Sequence, residues 1–288
     1  MRRWTRGLAF LAGGIVALIV VALVVLFVWS EIILRRTYDV PLETFVAPSD
    51  SASIAAGERQ AILRGCYSGC HGTQLEGGVF FDEPGVARVT APDLTRVMYT
   101  HSDAELERVI RHGVRRNGRS VFAMPSSGFS EMTDEDLADI IAFVRSRPRG
   151  DGAETGLEAG PLGRLGIVLG QFPPIATEIE HTGGHGQGPD GPSGPGRYLA
   201  RTICSECHGL ELQGFPEDSI PPLAVAKTYS LEQFTTLLRT GVPVGGRTLG
   251  LMAEVARSRF YAFTDEEILQ IYNYLGSYGL ESRTNASH

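Results

Sequence analysis

Cys66-Tyr-Ser-Gly-Cys70-His71 and Cys204-Ser-Glu-Cys207-His208 are the two stretches around which this chain of 288 residues is organised. In both, a histidine follows the second cysteine directly, and a glycine, Gly77 or Gly214, stands seven residues beyond that cysteine. Upstream, Gly57-Glu58-Arg59 leads to Gly65-Cys66 as Gly196-Arg197-Tyr198 leads to Ile203-Cys204. Downstream, Ser102 with Glu105 and Ser230 with Gln233 are capping-box patterns that open helices. Leu106, Val109 and Ile110 form one apolar face and Phe234, Leu237 and Leu238 its counterpart. Gly113 and Gly241 stand where those helices should end in a left-handed residue. Thr133-Asp134-Glu135-Asp136 and Thr264-Asp265-Glu266-Glu267 announce a last helix, with apolar stripes at Leu137, Ile140, Ile141, Val144 and at Ile268, Ile271, Tyr272, Leu275. Residues 57–147 and 196–277 are therefore two copies of one unit.

The spacings are helical and no comparable run of strand-like alternation is evident, so an all-α fold is expected. It divides into an apolar anchor (1–36), a connector (37–53), a first helical domain (54–148), a Gly/Pro-rich linker (149–195), a second helical domain (196–282) and a tail (283–288). Residues 182–196 are nearly structureless by composition. Residues 162–179 are more apolar and are expected to pack as a connector on a domain or a partner. Each unit, at roughly ninety residues, is smaller than a hydrophobic core alone stabilises comfortably. A large buried cofactor would supply the missing apolar contact.

The anchor stands apart from the rest of the chain. Residues 8–28 contain no charge and are dominated by Leu, Val, Ile and Ala, long enough as a helix to cross the hydrocarbon core of a bilayer. Trp4 and Trp29 flank the run roughly 38 Å apart at about 1.5 Å per residue, a separation suited to two interfacial aromatic anchors. A cleaved signal peptide has a shorter apolar region and a small-x-small site, which Trp29-Ser30-Glu31 does not provide. Arg2, Arg3 and Arg6 before the run and Arg35 and Arg36 after it leave orientation weakly specified by charge. The formal net charge of -7, with no basic stripe, argues against a nucleic-acid partner.

A C-x-x-C-H run is the attachment signature of c-type haem. On a helical turn, positions i and i+3 face one way, so two thiols can bond the two vinyl groups of one porphyrin while the adjacent imidazole points at the iron. Cys204, Cys207 and His208 fit without adjustment. Cys66, Cys70 and His71 are one residue longer, and positions i and i+4 are expected still to share a helical face. A zinc site would need ligand pairs from two separate units; a reactive dithiol expects a strand-helix context; two local disulfides are open to an oxidising compartment. None accounts for a histidine after both second cysteines. Two covalently bound haem c groups are expected, and their attachment in bacteria places the body on the periplasmic side of the inner membrane, with the chain crossing once.

The sixth iron ligand is argued from the repeat. A thioether raises the potential, the usual arrangement of electron-transfer cytochromes. Gly113 is followed by Gly118-Arg119 and Met124, as Gly241 is followed by Gly246-Arg247 and Met252, with all offsets equal. Met98 and Met132 have no methionine counterpart. His112 faces Thr240 in the other copy, which disfavours it as a ligand, and His101, His181, His185 and His288 are expected in solvent. The free ring nitrogen of each ligating histidine should donate to a carbonyl, for which Pro92-Asp93-Leu94 and Pro221-Pro222-Leu223 are the places to look. Arg119 and Arg247 are candidates to pair with haem propionates.

On these motifs each unit resembles a class I cytochrome c domain: N-terminal helix, C-x-x-C-H turn, Pro-x-Leu segment, ligand methionine and C-terminal helix. The resemblance covers about two thirds of the chain. It implies that the first and last helices of each unit cross, bringing Gly57 near Phe143 and Gly196 near Tyr274. Met124-Pro125 matches the family's Met-Pro, whereas Met252-Ala253 departs from it. Tandem domains of this kind resemble the cytochrome c subunits of periplasmic dehydrogenases and the di-haem subunits of respiratory complexes. The implied role is single-electron relay between a donor and an acceptor of a respiratory or photosynthetic chain, within a larger membrane complex, with no bond chemistry of its own. The competing reading is a di-haem enzyme, of peroxidase or thiosulfate-oxidising type, with one open iron.

Overall fold

The structure, a computed structural model, describes residues 2–67, 69–152, 154–182, 194–215 and 219–277, with side chains from residue 7 onward. It opens with one long helix, α1 (Arg2–Arg35). The most apolar 18-residue window within residues 7–35 of it has a mean hydropathy of 3.2 and no burial against the rest of the chain. The side chain of Trp4 lies outside the described residues, while Trp29 is exposed. After α1 the chain enters the body at once: Thr37 bridges Arg119, and Tyr38 N donates to Gly118 O at 2.8 Å.

The first unit starts with α2 (Ser51–Leu63), capped by Asp50, whose carboxylate accepts from the N–H groups of Ala52 and Ser53. It continues through a hairpin, β1 (Gly78–Glu83) and β2 (Ala87–Ala91), then α3 (Leu94–Val97), α4 (Asp103–His112), α5 (Ser126–Phe129) and α6 (Asp134–Arg145). The capping box at Ser102 and Glu105 and the left-handed cap at Gly113 are both present. Helix α2 packs along α6, and Gly57 is what allows it, since a Cβ there would come 1.8 Å from Asp139 O. This approach falls one turn before Phe143.

The expected all-α fold is not what forms, since a three-stranded sheet stands among the helices. Strands β1 and β2 pair antiparallel, and a third strand, β3 (Gly156–Ala159), adds to β2. The hairpin occupies an insertion: fourteen residues separate Gly77 from Pro92, where six separate Gly214 from Pro221. The connecting region 149–195 is likewise structured over much of its length, with α7 (Pro161–Val168) against α1 and α8 (Ile175–Thr182) against α4 and α5. Most of the Gly/Pro-rich run, residues 183–193, lies outside the described residues.

The second unit repeats the frame: α9 (Gly194–Leu199), a π-helical stretch (Ala200–Cys204), α10 (Ser205–His208), α11 (Leu231–Thr240), α12 (Leu251–Ser258) and α13 (Asp265–Ser277), with 3-10 turns at Leu223–Thr228 and Phe260–Ala262. The Ser230–Gln233 capping box and the left-handed Gly241 mirror the first unit. Gly196 takes the part of Gly57: a Cβ would meet Gln270 O at 2.1 Å and Tyr274 Cβ at 2.9 Å. Each unit has its own apolar core, but Leu63 of α2 joins the core of the second. Around it Arg64, 2% exposed, donates to Asp136 Oδ2 at 3.0 Å and to Tyr198 Oη and Thr202 Oγ1 at 3.2 Å each. Glu131 holds Arg197 and Arg201, and Arg59 donates to Ala262 O at 3.1 Å. The units are thus locked by a buried polar network as well as by apolar packing.

Candidate haem-binding sites

The two cysteine motifs are reached by different local routes. In the second unit the π-helical stretch runs into α10, so Cys204 and Cys207 lie on consecutive helical residues as the sequence led us to expect. In the first, the expected shared helical face for Cys66 and Cys70 is not found. Helix α2 stops at Leu63, Gly65 turns left-handed at φ 70°, Cys66 and Tyr67 lie in a turn, and Gly69 bridges Gly72. The helix thus ends before the first cysteine because Gly65 takes the left-handed conformation that terminates it.

Beyond the cysteines the copies agree bond for bond. His71 Nδ1 lies 2.9 Å from Pro92 O, and His208 Nδ1 lies 2.9 Å from Pro221 O. Gly77 N donates to His71 O, and Gly214 N to His208 O, each at 2.9 Å. Leu94 N donates to Leu75 O, and Leu223 N to Leu212 O, again at 2.9 Å. A neutral imidazole donating from Nδ1 leaves Nε2 as a lone-pair donor, and burial lowers the pKa of both histidines, favouring that neutral form.

All four cysteines are free thiols. Burial pushes Cys66 up to about 11 and Cys204 up to about 12, and raises Cys70 and Cys207 as well. A reactive dithiol requires the opposite shift. Among the described residues no group of three or more His, Cys, Asp or Glu is placed to hold a metal ion, which disfavours the shared zinc site.

A cavity of about 580 Å³ opens in the first unit, of the size and apolar character that a large flat cofactor needs. Cys66, Cys70, His71 and Met124 all line it. Met98 and Met132 line it too, but both are buried in the core of the unit. Met124 stands outside any helix because the residue before a proline is disfavoured in the α region, and Pro125 follows it. With Ala253 in place of that proline, Met252 is drawn into the first turn of α12, where it packs against the same core as Cys204.

Several side chains fall elsewhere than expected. His101 lines the cavity wall, half-buried, with Nδ1 3.1 Å from Val97 O, so it is not simply solvated. His181 is exposed and His112 lies against Glu107, while His185 and His288 lie outside the described residues. Arg119 and Arg247 are exposed. The arginines at the cavity are Arg64, Arg96, Arg115 and Arg116. Arg115 donates to Ser120 O at 3.0 Å, yet its buried Nε has no partner, and the same holds for the Nε of Arg64. An orphaned buried donor on a cofactor cavity fits an acidic substituent of the cofactor. The repeat offered no signal for Arg115, because Pro243 stands at the matching position.

Residues 54–148 match the cytochrome c family. The cytochrome c subunits of quinone-dependent alcohol dehydrogenases from Gluconacetobacter polyoxogenes and Komagataeibacter europaeus are each 26% identical over 266 residues, covering 80% of this chain and 56% of theirs. The fructose dehydrogenase cytochrome subunit of Gluconobacter japonicus is 26% identical over 270 residues, covering 82% of this chain and 55% of its own. The chain spans about half the length of these relatives. It thus contains a cytochrome c domain, a kind that holds haem c covalently, and is homologous to cytochrome c subunits of quinone dehydrogenases.

Proposed function

We propose that this chain is the membrane-anchored, di-haem electron-relay subunit of a periplasmic dehydrogenase complex. Cys66 and Cys70 would hold one haem c and Cys204 and Cys207 the other; His71 with Met124, and His208 with Met252, would ligate the irons. Bound there, each haem supplies a one-electron carrier, and the protein sets its potential and place. His71 and His208 are oriented by Pro92 O and Pro221 O, and Arg115 offers its free Nε to a propionate. The observation that carries the reading is the bond-for-bond duplication of the His71 and His208 frames.

Two features support the membrane part. Helix α1 runs seven residues past Val28 and is tied to the body through Ser30 and Glu31, as a retained helix would be. The chain leaving α1 bridges the loop that precedes Met124. On this reading the first haem lies toward the membrane-side acceptor and the second toward the soluble donor, whose relatives' names point to an alcohol or sugar dehydrogenase.

The test is the protein isolated from membranes after co-expression with the cytochrome c maturation machinery. Two haems per chain, two one-electron potentials and no rapid reaction with carbon monoxide are expected. One haem per chain would remove the second site. Ready carbon monoxide binding to the native protein would favour an enzyme with an open iron.

A further inference from the structure

The segment between the units carries an apolar face that the fold leaves bare. In α7 and the turn after it, Leu162, Leu165, Leu169 and Phe172 are 61%, 43%, 62% and 53% exposed. At 3.6 residues per turn the three leucines fall within about 60° of one another. Gly163, Gly166 and Ile167 occupy the buried side, with Gly163 so close to the hairpin that a Cβ would meet Val86 O at 2.2 Å. The only charge in residues 161–175 is Arg164, and it is turned aside onto α1. There it donates to Ser30 Oγ at 2.7 Å and Glu31 Oε1 at 2.9 Å, with its guanidinium 4.2 Å from the centre of the Phe27 ring. The α1 face that receives it continues toward the N-terminus as Leu23, Val24 and Val20, all exposed.

We propose that α7 is a second membrane contact: an amphipathic helix lying in the headgroup–acyl boundary, with Leu162, Leu165, Leu169 and Phe172 among the acyl chains. The proposal rests on reading α1 as a membrane anchor. Position selects lipid over a protein partner. Glu31 lies three residues past Val28, where the apolar run ends, about 4.5 Å along the helix, and interfacial helices bury their apolar face about 5–10 Å into that boundary. Arg164 thus clamps α7 to α1 at the depth where such a helix sits. Two attachments, one spanning and one flat, limit the tilt of the first unit and hold its haem site at a set height above the bilayer.

The test uses the haem-loaded full chain in vesicles of phosphatidylethanolamine and phosphatidylglycerol carrying a phospholipid with an acyl-chain diazirine, with labelled peptides mapped by mass spectrometry. Label is expected on residues 8–28 and on residues 161–172, the latter at least about tenfold above the peptides of α11. In the double variant Leu165→Asn, Leu169→Asn, the α7 label should fall while haem absorbance and the α1 label stay unchanged. Label on α1 with none on α7 overturns the proposal, as does α7 label that the variant leaves intact. No label on either overturns the anchor reading, and this proposal with it.

Discussion

Arg259 donates to Glu206 across 2.8 Å, and the same guanidinium covers the turn of the other cysteine motif, so closely that a Cβ on Gly65 would lie 2.3 Å from its Nη1. Glu206 itself lines the first unit's cavity. One ion pair therefore stands between the two cysteine motifs, and the field of Arg259 lowers the thiol pKa of Cys66, Cys70 and Cys207 against their burial.

On the proposed di-haem reading, a fixed charge in that place acts on both irons. A unit charge about 10 Å from an iron contributes about 1–2 kcal/mol at an effective dielectric of ~20, roughly 40–80 mV for one electron. Removing the positive charge stabilises the oxidised state, so Arg259→Gln should lower both midpoint potentials; Glu206→Gln should raise both. Spectroelectrochemical titration reads the result, and a shift confined to one haem would place the pair outside the inter-haem gap.

The methionine assignment is tested by exchange. Met252→His should leave the second haem attached and lower its potential by roughly 100 mV or more, well within the ~0.8 V that axial ligands span. Cys207→Ala should impair attachment at that site. Met98→Leu and Met132→Leu should leave both potentials in place, since their side chains belong to the core; an unchanged titration after Met252→His would remove Met252 as a ligand.

Arg64 is the buried bolt between the units. Its loss leaves Asp136, Tyr198 and Thr202 without their common donor, and breaking one side of a buried ion pair costs about 3–5 kcal/mol. Asp136 retains some exposure, so Arg64→Met should fall near the lower end. Chemical denaturation followed by haem absorbance and far-UV signal should change from one transition to two.

Acid should loosen the loop that aims His71. Burial raises the Asp93 pKa, but bonds from Thr95 Oγ1 at 2.6 Å, Gly152 N at 2.8 Å and Arg96 N at 3.1 Å outweigh it and hold the carboxyl below its ordinary 3.8. A depressed folded pKa gives stability that is complete above the ordinary value and lost as pH falls through the folded one. Thermal melts should show the wild type losing stability below about pH 4 more steeply than Asp93→Asn, which at neutral pH should be weaker by roughly 1.5–3 kcal/mol. Equal slopes would assign the acid sensitivity elsewhere.

The strands lie in an insertion that one copy of the repeat has and the other lacks. Gly78-Val-Phe-Phe-Asp-Glu83 and Ala87-Arg-Val-Thr-Ala91 flank Pro84-Gly85, β-prone runs around a turn pair, and a repeated period carries no sign of what has no counterpart. Arg115 was hidden for the same reason. Its importance lies in an unpaired nitrogen on a cavity wall, a property of packing that no spacing displays.

Local chemistry settled much of this protein along the chain itself. The two motifs, the capping boxes, the left-handed glycines and the carbonyls that meet His71 and His208 all depend on residues close in sequence or placed by a repeated period, and short-range sterics and hydrogen bonding leave them little choice. Only the tertiary structure decided that Arg259 bridges the two motifs, that Arg64 locks the units, that the 149–195 segment supplies a strand and two helices, and that α7 is pinned to α1. These depend on side chains from distant segments meeting, and such meetings are chosen by the packing of the whole chain.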